Sequence, residues 1–165
     1  MMHLTGAVIL ASLIALPGAP NQATTPSATS RFVNTLMPQP SHLSTQEGRL
    51  TLTPAFTAIT DHYRDARLDA AIARSLNRLR TQTGISIPTS PPAGSTSGAL
   101  VVSVDGLGET IQSVDEDESY SLEVTPSGGR LHAATVVGAM RGLETLQQLV
   151  QSDATGYFVP AVSIR

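Results

Sequence analysis

Two glycines inside an amphipathic helix constrain how this chain of 165 residues can fold. The stretch from His132 to Val150, HAATVVGAMRGLETLQQLV, has the apolar rhythm of a helix, yet it contains Gly138 and Gly142. Each glycine in a helix interior costs about 1 kcal/mol relative to alanine. The two lie on one flank of the apolar face, where they remove side chains and let a neighbouring segment approach. The pattern therefore predicts close packing against this flank.

The remaining positions of this helix divide cleanly between core and solvent. The flank of the glycines continues through Thr145 and Leu149. The apolar arc comprises Val136, Ala139, Met140, Leu143, Leu146 and Val150, and the solvent face comprises Arg141, Glu144, Gln148 and Gln151.

Composition excludes several classes of protein. The net charge is −3 and all ten basic residues are arginine, so nothing favours general binding to nucleic acid or to anionic lipid. The absence of cysteine excludes disulfides, a thiol nucleophile and cysteine-ligated metal. The length suits one domain with a proper core and is too short for a core together with a full (β/α)8 barrel.

The N-terminal segment is typical of an exported protein. An apolar run from Ala7 to Leu16 precedes small residues and prolines, which predicts a signal peptide at 1–23. This run is about half of the roughly 20 residues that a permanent membrane anchor needs. A misassigned start codon is the alternative, because no Lys or Arg precedes the run. We expect a flexible leader at 24–34 and a periplasmic or extracellular location.

A strand, a helix and a second strand are predicted between Arg49 and Val104. RLTLT alternates Leu50 and Leu52 before Pro54 ends it, which indicates a short strand or strand pair. Arg67 to Gln82 has the periodicity of an amphipathic helix, and Gly84 follows as a stop signal. ALVVSV, from Ala99 to Val104, is typical of a buried strand.

A β-hairpin and a last strand complete the predicted fold. Tyr120, Leu122 and Val124 alternate, TPSGGR forms the turn, and LHAAT is the second strand. In YFVPAVSI, Pro160 favours a strand at the edge or exit of a sheet. The resulting order, β, α, β, β, β, α, β, predicts an α+β domain over 35–165, with a mostly antiparallel sheet and two helices packed on one face.

Several blocks of the sequence together resemble a known family. Their residues are Pro38 and Pro40; Glu118, Tyr120 and Leu122; Leu131 to Gly138; Gly142 to Leu149; and the final GYFVPAVSI. In this order they resemble the N-terminal accessory domain of glycoside hydrolase family 20, the β-N-acetylhexosaminidases. The resemblance covers Thr35 to Ile164.

The resemblance implies a function that depends on a second domain. In the family, a (β/α)8 barrel holds the active site, and the substrate's own 2-acetamido oxygen attacks the anomeric carbon. An Asp orients that group and the neighbouring Glu acts as general acid and base, both from an H-x-G-G-D-E motif that this sequence lacks. We therefore expect the barrel downstream of Arg165 in a parent protein, with this chain a fragment or a truncated gene product. Alone, it should have little or no hydrolase activity.

Other candidate sites are weak, and no catalytic, cofactor-binding or metal-binding residue is assigned. The Asp-Glu pairs at 115–118 lie in a polar loop, where adjacent carboxylates are most simply solvated. Tyr120 and Pro126 replace the glycine and the glutamate that a calcium loop requires. His42, His62 and His132 lack metal-ligand spacing. GSTSG, from Gly94 to Gly98, has threonine where a nucleophile elbow has serine, so it is interpreted as a linker.

Two alternatives to the accessory domain stay open. The chain could be a stand-alone, non-enzymatic module that binds carbohydrate or protein, or the accessory domain of another glycosidase family, since fold does not determine chemistry. The acidic segment 105–118 and the arginine-rich segment 64–80 could attract each other or a partner domain. A phosphate- or nucleic-acid-binding stripe on the arginines is disfavoured by the absence of lysine and by 4% aromatic content.

Overall fold

In the computed structural model, which describes residues 32, 34–61, 63–89 and 99–165, seven strands form one mixed sheet. In chain order the elements are β1 (Leu43–Thr51), β2 (Thr57–Asp61), α1 (Ala66–Thr83), β3 (Ala99–Gly106), β4 (Tyr120–Thr125), β5 (Gly128–Thr135), α2 (Val136–Gln148), β6 (Gln151–Asp153) and β7 (Gly156–Ile164). The predicted signal peptide, most of the predicted leader and the GSTSG segment lie outside the described residues.

The sheet follows the order β1-β7-β4-β5-β3-β2, and β6 also pairs with β7. The pairings of β2 with β3 and of β3 with β5 are parallel, and the remaining pairings are antiparallel. Along β5, buried Leu131 and Ala133 alternate with exposed Arg130 and His132. Both helices contribute to the single core that covers the buried face. The α+β fold with a mostly antiparallel sheet is confirmed.

Helix α1 begins and ends close to the positions that the periodicity predicts. The Asp65 carboxylate caps its start by accepting hydrogen bonds from the backbone N–H groups of Arg67 and Leu68, at 2.8 and 3.2 Å. Gly84 ends it with a φ of 71°, a left-handed conformation that glycine adopts without strain. The helix buries one face, formed by Leu68, Ala71, Ile72, Ser75, Leu76 and Leu79.

The sequence analysis did not predict β2 or its parallel pairing with β3. β2 forms a parallel pair with β3, and α1 connects the two strands as the helix of a βαβ crossover. β2 has five residues, and its burial does not alternate from one residue to the next. Periodicity therefore gave no signal for β2, and the predicted order of elements did not include this βαβ unit.

The central hairpin is confirmed, but its turn is tighter than predicted. Thr125 pairs directly with Gly128, so Pro126 and Ser127 alone make the turn and β5 begins before LHAAT. Gly129 lies under the Leu100 side chain, where an added Cβ would be 2.9 Å from Leu100 Cδ1. Gly128, Gly129 and Arg130, which the sequence analysis assigned to the turn, therefore belong to β5, where they pair with β4.

The prediction that Pro160 marks an edge strand is wrong. β7 is an interior strand, with β1 on one side and with β4 and β6 on the other. On the second side, β6 pairs with β7 as far as Phe158 and β4 pairs from Val162 onward. Pro160 lies between these two stretches, where neither strand provides a registered partner, so its missing N–H group is tolerated inside the sheet.

A charged cluster joins β1 to the hairpin of β6 and β7. Asp153 receives a hydrogen bond from the Arg49 guanidinium and another from the Thr155 hydroxyl, the latter at 2.7 Å. The Arg49 guanidinium also lies 4.4 Å from the centre of the Phe158 ring. Hydrogen bonds from Thr155 and then from Arg49 lower the pKa of Asp153 from 3.8 to about 2.

This cluster predicts a loss of stability in acid. Because the pKa of Asp153 is lower in the folded chain, its contribution is complete above the unfolded value of 3.8 and disappears as pH falls through about 2. We expect Asp153→Asn to flatten the decline in unfolding free energy between those pH values, measured by urea denaturation, whereas Asp115→Asn leaves the decline intact. Parallel pH profiles for wild type and Asp153→Asn would contradict this assignment.

Candidate functional site at the carboxyl end of the sheet

The carboxyl ends of four strands lie at one edge of the sheet. β2, β3 and β5 run parallel, and β7 has the same direction because β5 and β7 are both antiparallel to β4. Both helices begin at this edge, α1 after β2 and α2 directly after β5. The segment Leu107–Ser119, which we call the β3–β4 loop, passes over the end of β5 here. In sheets with parallel strands this is the edge at which ligands and partners usually bind.

The β3–β4 loop is attached to both helices. The Arg67 guanidinium of α1 donates to the carbonyl of Leu107 at 3.1 Å. At the other end of the loop, the Arg141 guanidinium of α2 forms two hydrogen bonds with the Glu118 carboxylate, at 2.9 and 2.8 Å. This parallel, charge-assisted pair fixes the orientation of both side chains. The loop therefore has a defined position although it contains no regular secondary structure.

One hydroxyl group joins the end of β5 and the start of α2 to the β3–β4 loop above them. Thr135 Oγ1 accepts a hydrogen bond from the N–H of Gly138 at 3.0 Å, which caps α2. The same hydroxyl donates to the carbonyl of Asp117 in the loop at 2.6 Å. Thr135 thus connects β5, α2 and the β3–β4 loop.

The acidic residues at 115–118 in this loop include carboxylates that accept hydrogen bonds from the loop backbone, whereas the sequence analysis expected them to be simply solvated. Asp117 accepts a hydrogen bond from the N–H of Ser119 at 2.8 Å, and Glu116 accepts one from the N–H of Glu109 at 3.3 Å. Hydrogen bonds from Ser119 lower the pKa of Asp117, and the hydrogen bond from Arg141 lowers the pKa of Glu118. These carboxylates organise the loop beside the positive end of the α2 dipole.

The glycines of α2 make the close contacts that the sequence predicts. An added Cβ on Gly138 would lie 2.4 Å from the carbonyl oxygen of Ser119, so the helix touches the backbone of the loop. An added Cβ on Gly142 would lie 2.2 Å from Leu131 Cδ1 and 3.1 Å from the Tyr120 ring. The prediction of close packing on this flank is confirmed.

Other residues of the quoted sequence blocks also contact one another. The Tyr120 hydroxyl of β4 lies 2.5 Å from Thr145 Oγ1 of α2. The Gln148 side chain accepts a hydrogen bond from the N–H of Met37 at 2.8 Å and donates one to its carbonyl at 3.1 Å. Tyr120 and Thr145 of the sequence pattern therefore join the hairpin to α2, and Gln148 of the same pattern joins α2 to the segment before β1.

Side chains that could bind a metal ion are not clustered within the described part of the chain. It contains no group of three or more His, Asp or Glu side chains that could hold a metal ion. His132 pairs with Asp105 at 3.1 Å, both more than half exposed, and His62 lies outside the described residues. None of the described helices combines the length and apolar character that crossing a bilayer requires.

In the described structure, the acidic segment 105–118 and the arginine-rich segment 64–80 form no ion pair with each other. Arg78 of α1 pairs with Glu144 of α2 at 2.7 Å, and the acidic loop pairs with Arg141 of α2. Arg67 binds a backbone carbonyl of the loop. Sequence reasoning missed Arg141 as the partner of Glu118, because nothing in the sequence places the start of α2 beneath this loop.

A groove of about 560 Å³ lies between the helices, and Gln112 of the loop forms part of its wall. Its lining includes Arg74, Met140 and the buried Gln147, whose amide nitrogen donates to Ser75 Oγ at 3.0 Å. On the same loop, Leu107, Ile111 and Val114 are exposed. Sequence reasoning did not single out these apolar residues, because exposure cannot be read from a loop without periodicity.

The chain matches the model of a known family over most of the described domain. Residues 36–149 match the family described as beta-acetyl hexosaminidase like. The chain is 32% identical to a chitobiase of Flavobacterium johnsoniae, and the two structures superimpose with a TM-score of 0.66 over 78% of this chain and 20% of the chitobiase.

Curated relatives give the same result. The chain is 30% identical to beta-hexosaminidase subunit B2 of Dictyostelium discoideum over 77% of its own length and 22% of that protein. It is 44% identical to beta-hexosaminidase subunit beta of Sus scrofa over 36% of its length and 11% of that protein. The chain thus spans less than a quarter of each of these relatives.

Close packing of α2 predicts that replacing its glycines with alanine is destabilising. Helix propensity alone would stabilise each variant by about 1 kcal/mol. Overpacking against the Ser119 carbonyl or against Leu131 and Tyr120 costs about 1 to 3 kcal/mol, which outweighs that gain. We expect Gly138→Ala and Gly142→Ala to lower the melting temperature of the domain, as measured by circular dichroism.

The control is Gly106, the last residue of strand β3. An added Cβ on Gly106 would meet nothing within 4 Å, so Gly106→Ala should leave the melting temperature almost unchanged. If the two helix variants were instead more stable than wild type, propensity would dominate and the close contacts would have no energetic role.

Proposed function

The chain belongs to the beta-acetyl hexosaminidase-like family, and from this membership we propose that residues 35–165 form the non-catalytic N-terminal domain of an exported β-N-acetylhexosaminidase. In this proposal, a (β/α)8 barrel elsewhere in the parent protein hydrolyses terminal N-acetylhexosamine residues. The domain contributes by folding, packing on the barrel and supporting its geometry.

One observation supports a structural role above all. Residues by which the chain resembles the family contact one another, Gly142 with Tyr120 and Tyr120 with Thr145, and Gln148 of the same pattern binds the backbone of Met37, the residue before Pro38. Glu118, the acidic residue of the same pattern, is engaged by Arg141 through two hydrogen bonds. A general acid needs a proton to donate, whereas this pairing keeps the Glu118 carboxylate ionised by lowering its pKa.

The chemistry that this proposal assigns to the barrel follows from the family resemblance. The 2-acetamido oxygen of the substrate attacks the anomeric carbon, so the protein needs no carboxylate nucleophile. An Asp of the barrel holds the acetamido group in position, and a neighbouring Glu protonates the leaving oxygen and then activates water. No step of this scheme uses a described residue of the present chain. The export signal predicted at 1–23 favours action on glycans outside the cytoplasm.

Enzyme assays test whether hydrolysis requires the barrel that the proposal places elsewhere in the parent protein. We expect the 165-residue chain to give no turnover of an aryl N-acetyl-β-glucosaminide, and the protein from its full-length reading frame to hydrolyse it. A full-length variant with Ala in place of the Glu of the H-x-G-G-D-E motif is the matched inactive control. Turnover by the 165-residue chain itself would overturn the proposal. Binding of N-acetylglucosamine oligomers without any full-length activity would instead favour the stand-alone module.

A further inference from the structure

The groove between α1 and α2 concentrates positive charge. Arg74 and Arg78 of α1 and Arg141 of α2 line it, together with one carboxylate, that of Glu144. The whole chain, by contrast, has a net charge of −3. A cleft that concentrates charge of one sign attracts ligands of the opposite sign. The groove is therefore complementary to an anion.

One of these guanidinium groups has no partner. Arg141 binds the Glu118 carboxylate, and Arg78 binds that of Glu144 at 2.7 Å. Within the described part of the chain, Arg74 takes part in no hydrogen bond or ion pair. Because Arg74 and Arg78 are four residues apart on α1, their side chains are neighbours on one side of the helix. An oxyanion bound to Arg74 therefore comes within reach of Arg78, whose exposed pair with Glu144 contributes little stability.

A buried amide gives a second, independent indication of a ligand. The Gln147 side chain lines the groove, and the residue is only 6% exposed. Its amide nitrogen donates to Ser75 Oγ at 3.0 Å, whereas its Oε1 is buried and has no hydrogen-bond partner in the part of the chain that the structure describes. Buried polar atoms of folded proteins are almost always hydrogen-bonded. A hydroxyl or amide N–H group of a ligand would supply the donor that this oxygen lacks.

Much of the remaining wall of the groove is apolar. It is formed by Ala71 of α1 and by Val137, Met140 and Leu143 of α2. Met140 is half-buried and packs against the core, so its side chain extends the apolar interior to the groove. The volume of about 560 Å³ lies within the range of about 300 to 1,000 Å³ that is usual for small-molecule sites. An apolar wall with a few convergent polar groups is also typical of such sites.

We propose that this groove binds a small organic anion. Arg74 and Arg78 hold its oxyanion group, its apolar body lies against Met140, and a hydroxyl or amide N–H group of the ligand donates to Gln147. Guanidinium groups bind carboxylate and phosphate through paired hydrogen bonds, so a carboxylic acid and a phosphate ester are the two sources of the oxyanion to be distinguished. The site consists of residues of this chain and goes beyond the proposed function, since binding here involves no hydrolysis.

Titrations of the 165-residue chain with small anions test this site, because amide resonances in ¹H–¹⁵N spectra report binding residue by residue. We expect phenylacetate and benzyl phosphate to cause saturable shifts in α1 and α2, and the tighter of the two identifies the oxyanion. Mandelate, which is phenylacetate with an added hydroxyl group, should bind more tightly than phenylacetate because its hydroxyl donates to Gln147. Benzyl alcohol, which lacks the charge, and inorganic phosphate, which lacks the apolar body, should each bind about tenfold more weakly or worse.

A pair of arginine variants separates binding in the groove from a general attraction of anions. Arg74→Gln should raise the Kd of the tighter anion about tenfold or more. Arg80→Gln, which removes the same charge from an exposed position of α1 outside the groove, is the matched control and should leave that Kd unchanged. Equal effects of the two variants would overturn the site, as would the absence of saturable shifts at millimolar concentrations of both anions. Equal affinity for mandelate and phenylacetate would overturn the role of Gln147.

Discussion

The contact between α2 and the backbone of the β3–β4 loop is the constraint on which the rest of this structure depends. Gly138 leaves no room for a side chain between the helix and the carbonyl of Ser119. Because the helix lies so close, Thr135 can bond both the loop and the first turn of α2, and Arg141 can reach Glu118. Two unfavourable helix residues are thus tolerated because they allow three elements to meet at one edge of the sheet.

The same packed region contains residues of the recognisable family pattern. Tyr120, Thr145 and Gly142 form one packed unit of hairpin and helix, and Gln148 joins it to the segment before β1. Each position serves the geometry of the domain.

The features that sequence could predict are those set by local periodicity or by a single steric demand. The arc of α1, the alternation of β4 and the close approach at Gly138 and Gly142 are of this kind. The parallel pairing of β2 and the interior position of Pro160 depend on which strands become neighbours, and no local pattern encodes that choice. Of the candidate site, the acidic residues were visible in the sequence, but Arg141 as a partner and the exposure of Val114 arise from tertiary placement.

Native-state hydrogen exchange of the 165-residue chain tests the central claim most directly, namely that α2, β4 and the β3–β4 loop stabilise one another through the Gly138 contact. The account predicts that protected amides of α2 and β4 exchange with one shared opening free energy, and that Gly138→Ala lowers this value throughout both elements. Independent opening of α2, with β4 unaffected by the substitution, would contradict it.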